Sequence, residues 1–235
     1  MAAGVIEHEV LGTVTVNVRQ HSRHVSARWK NGAVSVNVPQ GIRVSELRRI
    51  IDNLTPRLMA TRPEVRYHDG QEIVCGYVSF VIKGQNFAPD KILGTAGVPV
   101  SAVEVGSNWD WDFDSTSRQI SDMLCKIARK VAPEVLIGRA KEISRQIGRQ
   151  PVGWTISSGH RTLGHCSGDG IIALSYVLVF LPAELSDYVI YHELAHLSEM
   201  NHSERFHKLL NSYLGGRERE LRHALNTFRW PVLRK

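Results

Sequence analysis

The spacing of apolar residues predicts strands and one helix in the first part of the chain. Across residues 14–38 apolar and polar positions alternate, as in half-buried strands, and Asn31-Gly32 offers the positive φ angles of a tight hairpin turn. Over residues 44–58 the apolar positions recur every three or four residues, as on one face of a helix. Pro56 is expected to kink or end that helix, because proline has no N–H to donate.

A second stretch of strand pattern follows, and a polar connection then divides the chain. Apolar residues at 78–82 and 98–105, punctuated by glycines, predict more antiparallel sheet. Residues 108–117 contain three aspartates and two tryptophans and have the character of a connection. We therefore predict an N-terminal β-rich domain over residues 1–107 and a C-terminal domain over residues 108–235.

The C-terminal part is predicted to be mainly helical. Residues 120–147 carry a helical pattern interrupted at Pro133, whose fixed φ suits the first turn of a new helix. Short strands are expected at 152–157 and 170–174, and Pro182 is placed to open a further helix. Together the patterns predict an α+β fold, in which an antiparallel sheet with one helix precedes a helical domain with a small sheet.

The composition is that of a globular protein. Of 235 residues, 43% are hydrophobic and 22% are charged, so a packed core is expected. The net charge of +6 favours anionic partners, but the basic residues are dispersed, so a solvated surface is favoured over a nucleic-acid or nucleotide site. The most apolar run, residues 176–181, is too short to cross a bilayer, and no membrane partner is expected.

The cysteines indicate a reducing environment. Cys75, Cys125 and Cys166 are far apart and form no Cys-x-x-Cys pair, which argues against a disulfide framework and against a thiolate metal site. The first residues also lack the basic and apolar regions of a secretory signal. A cytoplasmic protein is therefore predicted.

The candidate chemistry is concentrated in one short motif. His192, Glu193 and His196 form H-E-x-x-H within a predicted helix. Four helical residues turn by about 400° and rise by about 6 Å, so both imidazoles face one point. Imidazole nitrogens are ligands of Zn²⁺, and a catalytic zinc site keeps one position open for water. Glu193 is placed to take a proton from that water, and the motif predicts a zinc hydrolase with Glu193 as general base.

Two histidines leave one protein ligand missing, and His202 is the first candidate for it. Six more helical residues would turn His202 about 240° away from His196, so the helix is expected to end between them. Asn201 tolerates a left-handed backbone and, with Glu204, is expected to begin the next helix. Glu199 is expected to support the site without binding the metal. Two later carboxylates remain as fallback ligands, Glu218 and Glu220.

Around this motif the chain is similar to a known family. The likeness is carried by the run from His192 to His196, by Asn201-His202-Ser203 and by Phe206. The matching positions upstream are Arg161, Gly164, Cys166, Ser167, Gly170, Ile172, Leu174, Leu178, Pro182, Tyr188 and Val189, and near the N-terminus Val38, Pro39 and Gly41. With these residues the chain resembles the YgjP-like metal-dependent hydrolases, which are usually classed as metallopeptidases.

The resemblance implies a zincin-like metallopeptidase domain. In that family the positions that match His192, His196 and His202 bind zinc, and the position that matches Glu193 is catalytic. Because the family is classed with the peptidases, the resemblance implies that the substrates are peptides.

Two stretches depart from the family pattern. The chain has Leu163-Gly164-His165-Cys166 where the family usually has Trp-Gly-Ser-Cys, and Phe206-His207 where it usually has Phe-Trp. Both stretches are expected near the site, so they bear on substrate preference. His165 is a candidate donor to a transition-state oxyanion, although a loop histidine without that task fits as well. Arg161 has two interpretations of its own: it binds an anionic group of the substrate, or it belongs to a structural ion pair.

Three functions agree with these residues. The first is hydrolysis of a peptide or another small substrate by water that Glu193 activates. The second keeps the metal site but cleaves a phosphoanhydride, as a nucleotide pyrophosphatase does. The third is a non-enzymatic interaction module in which zinc ties two helices together. Three histidines beside a carboxylate favour chemistry, because structural zinc usually recruits cysteines.

Overall fold

The chain forms two compact units. The computed structural model describes residues 3–20, 22, 24–30, 33–60 and 65–233. By internal contacts the units are Met1–Val65 and Arg66–Arg234. The domain boundary predicted at 107/108 lies inside the second unit, because the helix that follows it packs against the strands that precede it.

The first unit contains a four-stranded sheet and one helix. The elements are β1 (Ala3–His8), β2 (Gly12–Arg19), β3 (Ser26–Lys30), β4 (Ala33–Pro39) and α1 (Val44–Ala60). The strand order is β1-β2-β4-β3, with antiparallel pairs at both ends and a parallel pair, β2 with β4, in the middle. The antiparallel prediction is therefore wrong for the central pair, because β4 inserts between β2 and β3. The predicted turn at Asn31-Gly32 lies outside the described residues.

The core of the first unit follows the predicted periodicities. The buried residues of β2 and β4 alternate along each strand, and they form one apolar cluster with residues of α1. These strand residues are Val14, Val16, Val34, Val36 and Val38. The helix continues past Pro56 to Ala60, so the boundary expected at the proline is wrong. Leu58 of the last turn is buried in the cluster, and its packing holds the helix together beyond the position where a hydrogen bond is missing.

The second unit begins with the same topology. Its first elements are β5 (Gln71–Val74), β6 (Ser79–Gln85), β7 (Ile92–Thr95), β8 (Val100–Gly106) and α2 (Asp114–Ala132). The strand order β5-β6-β8-β7, with a central parallel pair, repeats that of the first sheet. A helix again follows the fourth strand. The antiparallel prediction is again wrong for the central pair, for the same topological reason.

The rest of the second unit is helical, with a small three-stranded sheet. The elements are a π-helical segment (Pro133–Ile137), α3 (Gly138–Gln146), β9 (Gly153–Ser157), β10 (Gly164–Cys166), β11 (Ile171–Ser175), a 3₁₀ segment (Tyr176–Phe180), α4 (Ala183–His196), α5 (Glu204–Tyr213) and α6 (Glu218–Thr227). The sheet order is β10-β11-β9. The predicted α+β fold is confirmed, including the strands and helices expected after Pro133 and Pro182.

The most apolar run of the sequence becomes part of the core. The residues from Tyr176 to Leu181 are almost completely inaccessible to solvent. Among the described residues, no helix combines the length and the apolar character that spanning a membrane requires.

Polar contacts fix the position of α4. Asp187 on this helix receives a bidentate ion pair from Arg139 of α3, with Nη2 to Oδ2 at 2.7 Å, and a hydrogen bond from the Tyr77 hydroxyl. The N–H of Gly76 donates at 2.9 Å to the carbonyl of Leu181, which lies just before α4. These contacts fix the position of the helix that carries the H-E-x-x-H motif.

Candidate metal centre

The motif lies in the last two turns of α4. Pro182 precedes the helix, where its missing N–H is not needed, and Glu184 in the first turn suits the positive end of the helix dipole. The helix packs against α3, α5, α6 and β10. As a result His196 and Glu193 are buried, while His192 is partly exposed.

The helix ends at His196, as the spacing to His202 predicts. The N–H groups of Ser198 and Glu199 both donate to the carbonyl of Ala195 at 3.0 Å, and the chain then leaves the helical path. The next helix is capped by Ser203, whose hydroxyl accepts from the N–H of Phe206 at 3.3 Å.

The expectation that Asn201 caps α5 is wrong. The first helical residue is Glu204, so the cap falls on Ser203, which has the extended backbone of an N-cap. The carbonyl of Asn201 accepts the N–H of Ser203 at 2.7 Å and forms the tight turn that precedes the helix. This turn carries His202.

The structure brings the three predicted histidines together. His192, His196 and His202 each direct one ring nitrogen at a common point, and these atoms lie within 4.8 Å of one another. The Nε2 of His192 is 3.2 Å from that of His196 and 3.0 Å from that of His202. In a tetrahedral zinc site with bonds of about 2.0–2.1 Å, the ligand nitrogens are about 3.3 Å apart. The two separations from His192 are therefore close to those in such a site.

A main-chain carbonyl fixes the orientation of the His196 ring. Its Nδ1 lies 3.1 Å from the carbonyl oxygen of Glu199. When Nδ1–H donates to this carbonyl, the lone pair of Nε2 faces the other two histidines, which is the tautomer that metal binding needs. Glu199 thus contacts the His196 ring through its main-chain carbonyl, and support by its carboxylate, which the helical position suggested, stays a prediction.

Burial keeps the imidazoles of His192 and His196 neutral. Desolvation by burial lowers the pKa of His192 to about 4, and the neighbouring histidines contribute in the same direction. Burial also lowers the pKa of His196, and His202 and His165 add to this effect. At neutral pH both rings therefore present free lone pairs, which are the form that binds metal.

Phe206 packs against all three imidazole rings. Its side chain is fully buried, and its ring centroid lies 4.9 Å from that of His192, 4.5 Å from that of His196 and 4.8 Å from that of His202. These contacts restrict the ring positions on the side away from solvent. One residue of α5 therefore packs against every histidine of the cluster.

Glu193 is buried beside the cluster. Its exposed fraction is 5%, and desolvation raises the pKa of Glu193 to about 7, while the backbone N–H of Cys166 donates to its carboxylate and acts in the opposite direction. Gly164 of the same strand lies directly against this side chain. A carboxylate with a pKa near 7 can take up and release a proton at neutral pH.

A cavity of about 250 Å³ opens next to His192 and Glu193. We call it the Arg222 cavity. Its apolar wall is made by Leu163, Val189 and Leu225, and its polar groups are Tyr188, Arg222 and Asn226, with Gly164 closing one side. Burial and the charge of Glu218 raise the pKa of Tyr188, so its hydroxyl stays protonated at neutral pH.

The fallback carboxylates lie outside the histidine cluster. Glu218 is buried, and its Oε1 is 2.7 Å from Nδ1 of His207. Glu220 forms an ion pair with Arg217 at 2.6 Å. Among the described residues, the group with metal-binding geometry consists of the three histidines alone.

Arg161 and His165 are exposed, and neither joins the histidine cluster. His165 affects the site through its electrostatic effect on His196. Sequence reasoning missed the contribution of α6 to the cavity and the pair formed by His207 and Glu218. The only sequence signal for the cavity was that Arg222 and Asn226 are four residues apart and so share a helix face.

The chain matches a known family. A family model described as YgjP-like, metallopeptidase domain, matches residues 23–228, which is most of the chain. No curated protein and no solved structure gives a significant match. The chain therefore belongs to the YgjP-like family of metallopeptidase domains, a class of metal-dependent hydrolases.

Proposed function

We propose that the protein is a zinc-dependent peptidase, with His192, His196 and His202 as zinc ligands and Glu193 as general base. The observation that carries the proposal is the convergence of three Nε2 atoms within 4.8 Å, beside a buried carboxylate. Zinc, when bound by these histidines, supplies Lewis-acid activation of water and of the substrate carbonyl. The three free cysteines fit a reducing compartment, and the proposal includes a cytoplasmic location.

The chain's own part in catalysis centres on Glu193. Its carboxylate takes a proton from the attacking water and then delivers this proton to the nitrogen of the leaving amine. A pKa of about 7 suits both transfers, because the carboxyl group is neither too weak a base nor too weak an acid at neutral pH. The N–H of Cys166 and the backbone of Gly164 hold the carboxylate in one place.

The strand beside Glu193 supports a peptide as substrate. Among the described strands, β10 is at the edge of its sheet. Leu163 and Ser167 bond to β11, so the alternation of an antiparallel ladder turns the backbone groups of Gly164 and Cys166 outwards. Because the N–H of Cys166 donates to Glu193, the groups left for a peptide are those of Gly164 and the carbonyl of Cys166. An extended peptide can add to such an edge through main-chain hydrogen bonds, whereas a nucleotide cannot. Such pairing would lay a peptide along the carboxylate of Glu193.

The test is zinc analysis combined with an unbiased peptide-cleavage screen. Glu193→Gln is expected to keep zinc and to lose roughly 10²–10⁴-fold in turnover, because the base is removed. His202→Ala is expected to lose both zinc and turnover. Glu199→Gln is the matched control. It makes the same chemical change, but Glu199 contacts His196 through its main-chain carbonyl, which the substitution keeps.

Two results would overturn the proposal. If the zinc-loaded protein releases pyrophosphate from nucleotides and leaves all peptides intact, it is not a peptidase. If no turnover is found with any substrate and Glu193→Gln leaves partner binding unchanged, then zinc has only a structural role and the protein is an interaction module.

A further inference from the structure

The Arg222 cavity has room for one side group of a substrate. It adjoins Glu193, and its volume of about 250 Å³ is below the roughly 300–1,000 Å³ of typical small-molecule sites. Arg222 and Asn226 project from one face of α6, and Tyr188 faces them from α4. The apolar side chains of Leu163, Val189 and Leu225 line the rest of the cavity.

The guanidinium of Arg222 is available to a ligand. Its Nη1 is 3.9 Å from Oε1 of Glu218, which is longer than a hydrogen bond. That same oxygen is 2.7 Å from Nδ1 of His207, and the N–H of Glu218 donates to Asn211 at 3.2 Å. Glu218 is therefore held by His207 and Asn211 of α5, and the side chain of Arg222 is 53% exposed.

We propose that the Arg222 cavity selects a substrate residue that carries a carboxylate, with Arg222, Asn226 and Tyr188 as its hydrogen-bond donors. This inference rests on the proposed peptidase function. The planar fork of arginine matches a carboxylate through two parallel hydrogen bonds, and an amide and a hydroxyl complete the set of donors. In a peptide the carboxylate belongs either to an aspartate or glutamate side chain or to the free C-terminus.

The test uses four acetylated dipeptides as calorimetric probes. They are acetyl-Ala-Glu and acetyl-Ala-Gln, each with a free and with an amidated C-terminus. Binding is measured in the zinc-free and in the zinc-loaded protein, so that one readout does not depend on turnover. A preference of Glu-amide over Gln-amide identifies a side-chain carboxylate, whereas a preference for both free acids identifies the C-terminus.

Arg222→Gln is expected to weaken binding of the preferred probe on the order of 10- to 100-fold, because a charge-assisted pair is lost. It should also abolish the preference for a carboxylate. Arg222→Lys should recover only part of it, since the fork is missing. Arg219→Gln is the matched control, because it removes the same charge from an exposed position of α6 outside the cavity. It should leave all four affinities unchanged.

The inference fails if no probe prefers a carboxylate, if Arg219→Gln has the same effect as Arg222→Gln, or if nucleotide triphosphates alone bind in an Arg222-dependent way. A cleavage profile of a peptide library separates this failure from that of the proposed function. Cleavage without acidic or C-terminal preference overturns the cavity's role but keeps the peptidase. Selective carboxylate binding without any peptide cleavage keeps the cavity's role and overturns the peptidase.

Discussion

The backbone of Gly164 lies against the carboxylate of Glu193. A Cβ atom at Gly164 would be 2.5 Å from Oε1 and 2.6 Å from Cγ of Glu193, closer than non-bonded atoms approach. A glycine is therefore required here by the position of the proposed base. Its role is steric, since no positive φ is involved.

We predict that Gly164→Ala impairs catalysis without removing the metal. The methyl group would displace the carboxylate, and a displacement of about 1 Å can lower turnover by about 100-fold. Turnover and zinc content are measured together. Gly168→Ala is the control, because a Cβ there meets no atom within 4 Å. Unchanged turnover in Gly164→Ala would contradict the role given to Glu193.

The cap at Ser203 links helix stability to the position of His202. Ser203→Ala removes the side-chain acceptor for the N–H of Phe206, which typically costs about 1 kcal/mol of unfolding free energy. Because His202 immediately precedes the cap, zinc affinity is also expected to fall. Chemical denaturation and zinc titration measure the two effects. Ser198→Ala, at an exposed position in the same connection, should change neither, and equal effects of both substitutions would refute this link.

Phe206 is expected to matter for both folding and metal binding. Phe206→Ala should destabilise the protein by about 3–5 kcal/mol and weaken zinc binding, because the three rings lose the surface against which they pack. Leu210→Ala is the matched control, since Leu210 is equally buried one turn further along α5. It should reduce the free energy of unfolding to a similar degree and leave zinc affinity nearly unchanged. A similar loss of affinity in both variants would show that Phe206 acts only through overall stability.

Cys75 gives a prediction on alkaline pH. Burial raises the pKa of Cys75 to about 12, from 9.0 for an exposed thiol. At pH 8 its thiolate fraction, and with it alkylation by iodoacetamide, should be on the order of 1,000-fold lower in the native protein than in urea. Mass spectrometry of the labelled peptide measures this ratio, and equal rates in the two states would refute the burial of the thiol.

The same shift has a consequence for stability. Below pH 9 both the folded and the unfolded thiol keep their proton, so Cys75 adds no pH dependence there. Between pH 9 and 12 the unfolded state loses its proton first, and the free energy of unfolding must therefore fall as the pH rises. Cys75→Ala should show a smaller decline over this range in denaturation curves. Parallel curves for the two proteins would assign the alkaline loss to other groups, such as the buried tyrosines.

The sequence alone was sufficient for the parts of this protein that depend on local geometry. Helical spacing brings His192 and His196 to one face, and the turn angle to His202 required the helix to end in between, as it does. The alternation in β2 and β4 identified the buried faces of the first sheet. These inferences succeed because side-chain direction in a helix or strand repeats with a fixed period.

Tertiary structure decided everything that depends on residues distant in the chain. The parallel pairing of β2 with β4 follows from which strand lies in the middle of the sheet, and alternation cannot reveal that. Glu193 meets Gly164 only because α4 packs against β10, and Arg222 reaches the cavity only because α6 packs against α4. Such contacts arise from close packing between elements, whose partners no local period encodes.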